Sequence, residues 1–330
     1  MNQQPLTRQL YGALADGHWH SGQHLAAALG VTRAAIWKAI RQLRDAGLGI
    51  EAAVRTGYRL RSASVPLQGA AILEALPASI RQRVRKGRVL WRVPSTNSEL
   101  LAINDLPAGR SDFLLAECQT AGRGRRARPW LAPPGGAICL SLSWSFPSLP
   151  PDIGALSLAV GVAAAKVLNG LGPLGVQLKW PNDLQIADRK LGGILIELRA
   201  EAAGPAYAVI GIGLNVALGS LLGAVRTTGT EPIDLVTAGI ERCDRNQLAA
   251  DLITGLVETL RRFEQQGFAE LLPAWSDADA LRGREVTVSH GDARIHGMAD
   301  GVEPDGSLRV HTESGLQRFH SGEVSVRVRP

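Results

Sequence analysis

The sequence of 330 residues predicts an α+β protein made of an N-terminal winged helix-turn-helix, a central mixed-sheet α+β unit and a small SH3-like C-terminal β-barrel. Three observations predict it. Residues 6–46 carry helical apolar spacing broken by a glycine turn, and two short β-prone runs follow. Residues 87–216 alternate strand-like runs with polar, glycine-bearing turns. Residues 282–328 hold short strands separated by "HGD", "PDG" and "SGE". The expected boundaries are 1–64, 65–280 and 281–330.

Hydrophobic residues make up 45% and charged residues 20%, which excludes a disordered chain. The net charge of +6 favours an anionic partner, although its location matters more than its sum. Cys118, Cys139 and Cys243 lie far apart without C-x-x-C spacing, so neither a disulfide framework nor a zinc knuckle is expected, and a reducing cytoplasm fits. The start, "MNQQPLTRQLYG", lacks the basic and apolar regions of a secretory signal. The apolar stretch Ile153 to Ala165 is interrupted by Lys166 and falls short of the roughly 20 residues a bilayer span needs. It reads as a buried helix, with no membrane partner.

In the first unit Leu6, Leu10 and Leu14 recur at helical spacing until Asp16 and Gly17 close the segment. "GQHLAAAL" (Gly22 to Leu29) gives a second helix, Gly30 the turn and Thr32 the N-cap of a third. On that third helix Ile36, Ile40 and Leu43 form one stripe. Arg33, Trp37, Lys38, Arg41 and Arg44 occupy the neighbouring arc, suited to phosphates and base edges. "LGIEAAVRTGYRLR" supplies a hairpin wing around Thr56 and Gly57. Residues 1–61 hold eight Lys/Arg against three Asp/Glu, so most of the net charge sits here and operator-type DNA is the expected partner. His18, His20 and His24 have no acidic or cysteine company that would make a metal site, and read as turn residues. "SASVPLQGAA" (Ser62 to Ala71) reads as a linker.

In the central unit "GRVLWRV" (Gly87 to Val93) is a strand that turns into a helix at "PSTNSELLAI", where Thr96 and Glu99 have capping-box spacing. The same junction offers Ser95, Thr96 and Asn97 to a polar ligand. "QTAGRGRRARPW" (Gln119 to Trp130) packs four arginines and two glycines after an apolar run. "GRGRRA" formally matches a dinucleotide-binding fingerprint, but Pro129, Pro133, Pro134, Gly135 and Gly136 forbid the helix such a motif must open. A long loop is expected, its glycines permitting close approach and its arginines gripping phosphate or carboxylate oxygens. "LGVQLKWPNDLQI" breaks a strand at Pro181 and presents Asn182 and Asp183 in a turn. "DRKLGGILIEL" puts Lys190 at a strand entry beside Gly192 and Gly193, and "YAVIGIGLNVAL" reads as a central strand ending in Gly211, Gly213 and Asn215.

Taken in order, "STN", "QTAGRGRRARPW", "KWPNDL", "RKLGGILIE" and "GIGLNV" resemble the biotin protein ligase family, specifically its bifunctional biotin-operon repressors with an N-terminal winged helix. The resemblance implies a class II synthetase-like catalytic domain. It also implies a biotin pocket of Ser95, Thr96, Asn97, Gln119, Arg123, Gly124, Arg125 and Lys190. For ATP it implies Arg125, Arg128, Asn182 and Asn215, with Trp130 against adenine. On DNA it implies Thr32, Arg33, Trp37, Lys38, Arg41 and Arg44. Biotin and ATP would react to biotinyl-AMP with Mg²⁺ on the phosphates and no metal bound by the protein itself. The acyl group would then pass to a lysine of a biotin carboxyl carrier protein, the acetyl-CoA carboxylase subunit. Lys190 and Arg125 would neutralise the developing phosphoryl charge, and Asp183 would orient or deprotonate the acceptor amine. The adenylate-bound form would dimerise on its operator. One departure stands in the signature, Ala127 where the family commonly has glycine, a costly choice if the position needs positive φ. Two alternatives stay open: a lipoate or octanoate ligase on the same fold, and a purely ligand-sensing transcription factor.

Overall fold

The computed structural model describes residues 5–61, 64–103, 105–200, 204–222, 230–290, 293–322 and 324–328. Its helical N-terminal unit comprises α1 (Leu6–Leu14), α2 (Gly22–Leu29) and α3 (Arg33–Asp45), closed by the antiparallel hairpin β1 (Ile50–Ala53) and β2 (Gly57–Leu60). Gly30 ends α2 with φ of 65°, a left-handed conformation that glycine adopts without steric cost. Thr32 then caps α3, its hydroxyl accepting from Ala35 N at 3.2 Å. Ile36, Ile40 and Leu43 are buried against Leu10, Leu14 and Leu25, as their spacing requires.

The predicted linker is firmer than its small residues suggest. Ser62 and Ala63 lie outside the described residues, but Leu67 is wholly buried and its N–H donates to Glu117 Oε1 at 2.6 Å. Gln68 N donates to Asn246 Oδ1, and α4 (Gly69–Ala75) already begins inside the stretch. After α5 (Ala78–Arg81), β3 (Val84–Val93) and α6 (Thr96–Leu101) lead into β4 (Ser111–Gln119) and β5 (Ala137–Phe146). Then come α7 (Leu156–Asn169), β6 (Gln177–Lys179), β7 (Asp183–Ile186), β8 (Arg189–Ala200) and β9 (Ala206–Asn215). The seven strands form one mixed sheet in the order β3-β4-β5-β9-β8-β7-β6, with β3 and β4 parallel and the other pairs antiparallel. α8 (Arg245–Gln266) and α9 (Leu272–Ala278) complete the central unit.

Strand alternation divides the two faces. Even-numbered β5 residues from Ile138 to Phe146 and even-numbered β9 residues from Ala206 to Leu214 enter the main core beneath α7 and α8. The odd-numbered β9 residues face the other way and shrink along the strand. Tyr207 and Val209 pack under α6, whereas Gly211 and Gly213 leave room beyond its N-terminus. That step in side-chain size opens the cavity described below.

Five antiparallel strands end the chain: β10 (Glu285–His290), β11 (Ala293–Val302), β12 (Leu308–Thr312), β13 (Gly315–Phe319) and β14 (Val324–Val328), in the order β13-β12-β11-β10-β14. This is the short-stranded unit expected from the turn spacing, although Gly291, Asp292 and Glu323 of the predicted turns lie outside the described residues. Val286, Val288, Leu308 and Val310 continue the main core, so this unit packs directly on the central one.

A buried polar cluster joins the N-terminal unit to the catalytic sheet. Arg245 and Glu117 form an ion pair at 2.9 Å, each side chain only 2% exposed. Arg245 Nη2 also donates to Tyr11 Oη at 2.9 Å, and that hydroxyl lies 2.9 Å from Ser64 Oγ. Glu117 accepts in addition from the main-chain N–H groups of Leu67 and Gly135. Burial pushes the Tyr11 phenol up to about 12. Burial opposes the charge on Arg245, but Glu117 prevails and holds its pKa above the usual arginine value.

Candidate active site and DNA-facing helix

A cavity of about 250 Å³ lies on the odd face of the sheet. It is walled by the start of α6, the glycine-arginine loop, the β6–β7 turn, the first half of β8, the end of β9 and β14. Apart from the N-terminal residues expected to meet DNA, every site residue expected from the sequence lines it.

At one end Ser95, Thr96 and Asn97 are each 4% exposed. The capping-box expectation is corrected here. Helix α6 begins at Thr96 with Ser95 at the cap, and no side chain caps it. The Thr96 hydroxyl donates instead to Gln119 Oε1 at 3.1 Å, and Thr96 N donates to the same oxygen at 2.8 Å. The spacing from Thr96 to Glu99 is right, but the helix starts one residue too early for it, with Thr96 as its first residue and Glu99 N on the Ser95 carbonyl. Ser141 of β5, unmarked by any motif, places Oγ 2.7 Å from Thr96 Oγ1 and 2.5 Å from Asn97 Oδ1. The alternation of Ser141, Ser143 and Ser145 with apolar residues along β5 was its only signal. Gly211 pairs with Ser141 across the sheet, and a Cβ there would lie 2.4 Å from Asn97 Oδ1. This floor holds hydroxyls and an amide in a dry recess that suits a compact ligand bearing N–H and C=O groups.

At the other end Lys190 Nζ donates to Asp183 Oδ1 at 2.6 Å. Lys179 faces Asp183 across the β6–β7 pair, and burial lowers its pKa against the pull of that carboxylate. Arg125 reaches in from the loop, with Nη1 3.4 Å from Asn182 Oδ1 and Nη2 on the Ser321 carbonyl. Burial lowers the Arg125 pKa, with Asp183 opposing. Asp183 is the one carboxylate among the described residues of the wall. The excess of cations fits a polyanion. Asn182 and Asn215 use their amide N–H groups on the main chain, Asn182 on Ile194 O at 2.7 Å and Asn215 on Ile233 O and Lys190 O. The Asn182 oxygen faces Arg125 Nη1.

The loop is long, as the prolines require, with a single 3₁₀ turn at Arg125–Ala127. It is pinned by Gly124 N to Arg128 O at 2.7 Å and Trp130 N to Gly122 O at 2.8 Å. Arg126 and Ala127 adopt φ of 55° and 56°, so the position of Ala127 does require a left-handed backbone. Trp130 is laid against Gly213, presenting one face of an indole to the cavity. The Arg123 guanidinium turns to Glu197 Oε1 at 2.9 Å, and its main chain bridges to Pro129 within the loop. Cys139 also lines the wall, but burial pushes its thiol up to about 12, so it stays protonated and unreactive. Val324 to Arg327 of β14, in which the sequence showed no standout residue, close the far side.

On α3, Arg33, Trp37, Lys38 and Arg41 are exposed, with the Arg41 guanidinium carbon 5.9 Å from the Trp37 ring centroid. Arg44 differs from the expected arc, because Nε and Nη2 both donate to Ile50 O and so buttress the wing. The reading of the histidines as turn residues without acidic company is corrected here: His24 lies in α2, and His20 is held by Asp16 at 2.9 Å and pairs its main chain with Tyr58 as a staple of the wing. Among the described residues no helix is long and apolar enough to cross a membrane.

Residues 89–215 match the biotin/lipoate A/B protein ligase family, residues 7–59 an HTH domain and residues 282–327 the biotin protein ligase C terminal domain. The chain is 40% identical over 326 residues to the bifunctional ligase/repressor BirA of Salmonella typhimurium, covering 98% of this chain and 97% of that one. It is 37% identical over 248 residues to the biotin--[acetyl-CoA-carboxylase] ligase of Mycobacterium tuberculosis, covering 72% of this chain and 87% of that one. The biotin protein ligase of Aquifex aeolicus, solved with biotin and ATP, superposes with a TM-score of 0.60 at 26% identity over 74% of this chain and 100% of its own. With a winged helix ahead of the cavity-bearing sheet, and likeness along the whole chain, this protein belongs to the family of bifunctional biotin ligase/repressors.

Proposed function

We propose that the protein joins biotin to ATP, giving biotinyl-5'-AMP and pyrophosphate, and passes the biotinyl group to a lysine of a biotin carboxyl carrier protein. We propose too that it works in the cytoplasm and represses biotin-synthesis genes as an adenylate-bound homodimer. The observation that carries the enzymatic reading is the meeting of a dry amide-and-hydroxyl recess with the Lys190, Arg125 and Lys179 cations in one cavity.

The acid's carboxylate oxygen attacks the α-phosphorus. A P–O bond forms, the α–β bridge breaks, and pyrophosphate leaves with the electron pair. Both reactants are anionic, so Lys190 and Arg125 neutralise the approach and the charge growing on the phosphoryl oxygens. Mg²⁺ fits as a companion of the nucleotide, since Asp183 is the one carboxylate among the described wall residues and no cluster of three His, Cys, Asp or Glu occurs among them. It would shield the leaving pyrophosphate while held by the nucleotide's own oxygens. The carrier's neutral amine next attacks the anhydride carbonyl, forming the C–N bond and expelling AMP. Once phosphate draws Lys190 away, the Asp183 carboxylate is released to take the amine's proton. The loop from Gln119 to Trp130 excludes water from the anhydride meanwhile.

Biotin-dependent ATP/pyrophosphate exchange by the purified protein tests this, with exchange lost in a folded Lys190→Ala variant. Exchange driven by lipoate or octanoate instead of biotin would favour the alternative ligase, and none with any acid would favour a ligand-sensing regulator. Mobility shifts of the gene's own upstream DNA, strengthened by biotin and ATP, test the repressor half.

A further inference from the structure

Glu197 belongs to none of the residue sets expected to touch biotin or ATP, yet its carboxylate touches two of them. Oε2 accepts from Asn97 Nδ2 at 2.8 Å, and Oε1 accepts from Arg123 Nη2 at 2.9 Å. One side chain on β8 thus ties the buried amide of the α6 junction to the glycine-arginine loop. A carboxylate only accepts, so it dictates which way that amide points. The nitrogen faces Glu197 and Leu195 O, and the oxygen faces Ser141 Oγ. Reversing the amide would set its oxygen against two acceptors.

We propose that Glu197 is a positioning residue that fixes the polarity of the acid-binding recess and, through Arg123, latches the loop across it. The proposal rests on reading this recess as the acid site. The two tasks separate physically. The Arg123 link is partly exposed, with side-chain accessibilities of 40% and 27%, so salt loosens it, whereas the Asn97 link is sheltered by an amide only 4% exposed.

The test uses the full-length protein and the variants Glu197→Gln, Arg123→Gln and their double. Amide hydrogen exchange over residues 120–130, read without any ligand, is expected to speed up about fivefold in both single variants and no further in the double, because one link is being broken. In biotin-dependent exchange, Glu197→Gln is expected to raise KM for biotin about tenfold with kcat within about threefold of wild type. Arg123→Gln should raise it less, since Asn97 keeps its partner. Unchanged loop exchange in Glu197→Gln, or multiplied effects in the double variant, would overturn the latch. An unchanged KM for biotin would overturn the polarity role. Should Glu197→Gln fold poorly, the exposed Arg123→Gln carries the loop measurement, and normal loop protection there overturns the latch equally. The loop readout needs no substrate, so failure of the biotin reading would appear separately, as wild-type protein inactive with biotin.

Discussion

Trp130 lies so close to Gly213 that a Cβ on the glycine would sit 2.4 Å from the indole Cε2. Two residues away, a Cβ on Gly211 would sit 2.4 Å from Asn97 Oδ1. The two glycines therefore guard different halves of the cavity. Gly213→Ala is expected to raise KM for ATP, and Gly211→Ala KM for biotin, each by about tenfold or more, roughly 1.4 kcal/mol of binding. Initial-rate kinetics with each substrate varied in turn checks the split, and equal effects of both variants on both substrates would refute it.

Ala127 holds φ at 56°, where an L-residue is strained and glycine is not. Ala127→Gly relieves that strain but loosens the unfolded chain, so the two effects nearly cancel and stability should move by less than about 1 kcal/mol. Ala127→Val, β-branched at the same φ, should disturb the loop and speed the release of AMP when no carrier is present. Thermal melts and acceptor-free AMP production measure the two outcomes.

Removing Arg245 leaves the Glu117 carboxylate buried with its N–H partners alone. Arg245→Ala is expected to cost about 3–5 kcal/mol, the usual penalty for orphaning one member of a buried ion pair. Urea unfolding gives the figure, and a loss below about 1 kcal/mol would contradict the burial.

Tyr11 adds a pH dependence. Burial pushes its phenol up to about 12 from the usual value of about 10, so the native state holds that proton more tightly than the unfolded chain. The stabilisation is complete below about pH 10 and is lost as pH rises towards 12, on the order of 2–3 kcal/mol. Tyr11→Phe should flatten that alkaline loss while lowering stability at neutral pH by about 1–2 kcal/mol through its missing hydrogen bonds. Unfolding free energies at pH 8 and 11 for both proteins check the sign.

The order of these elements was largely legible because periodicity and punctuation are local. Helical spacing, Gly30 and Thr32 are enough to outline the winged unit, and the prolines after Arg128 exclude a phosphate-binding helix without reference to the rest of the chain. What escaped depends on distant strands. Thr96 spends its hydroxyl on Gln119, twenty-three positions on, so capping-box spacing could not reveal its partner. Leu67 and Gln68 look like linker until Glu117 and Asn246 supply acceptors. Ser141 lies in no motif and Glu197 is only the last letter of "RKLGGILIE", so their importance follows from a sheet order in which β5, β9 and β8 lie side by side. Arg44 sits at the right angle for DNA, but the wing's Ile50 carbonyl is nearer.

Tyr11 belongs to the winged unit by sequence, yet its hydroxyl completes the shell around a charge of the catalytic sheet. The two units are therefore not interchangeable modules. A gene fusion that exchanged one winged helix for another, or a truncation that kept only the ligase, would strip a partner from Arg245 and uncover the wall behind Gly135. Any exchange of the winged helix would therefore have to match positions 11, 117 and 245 to one another.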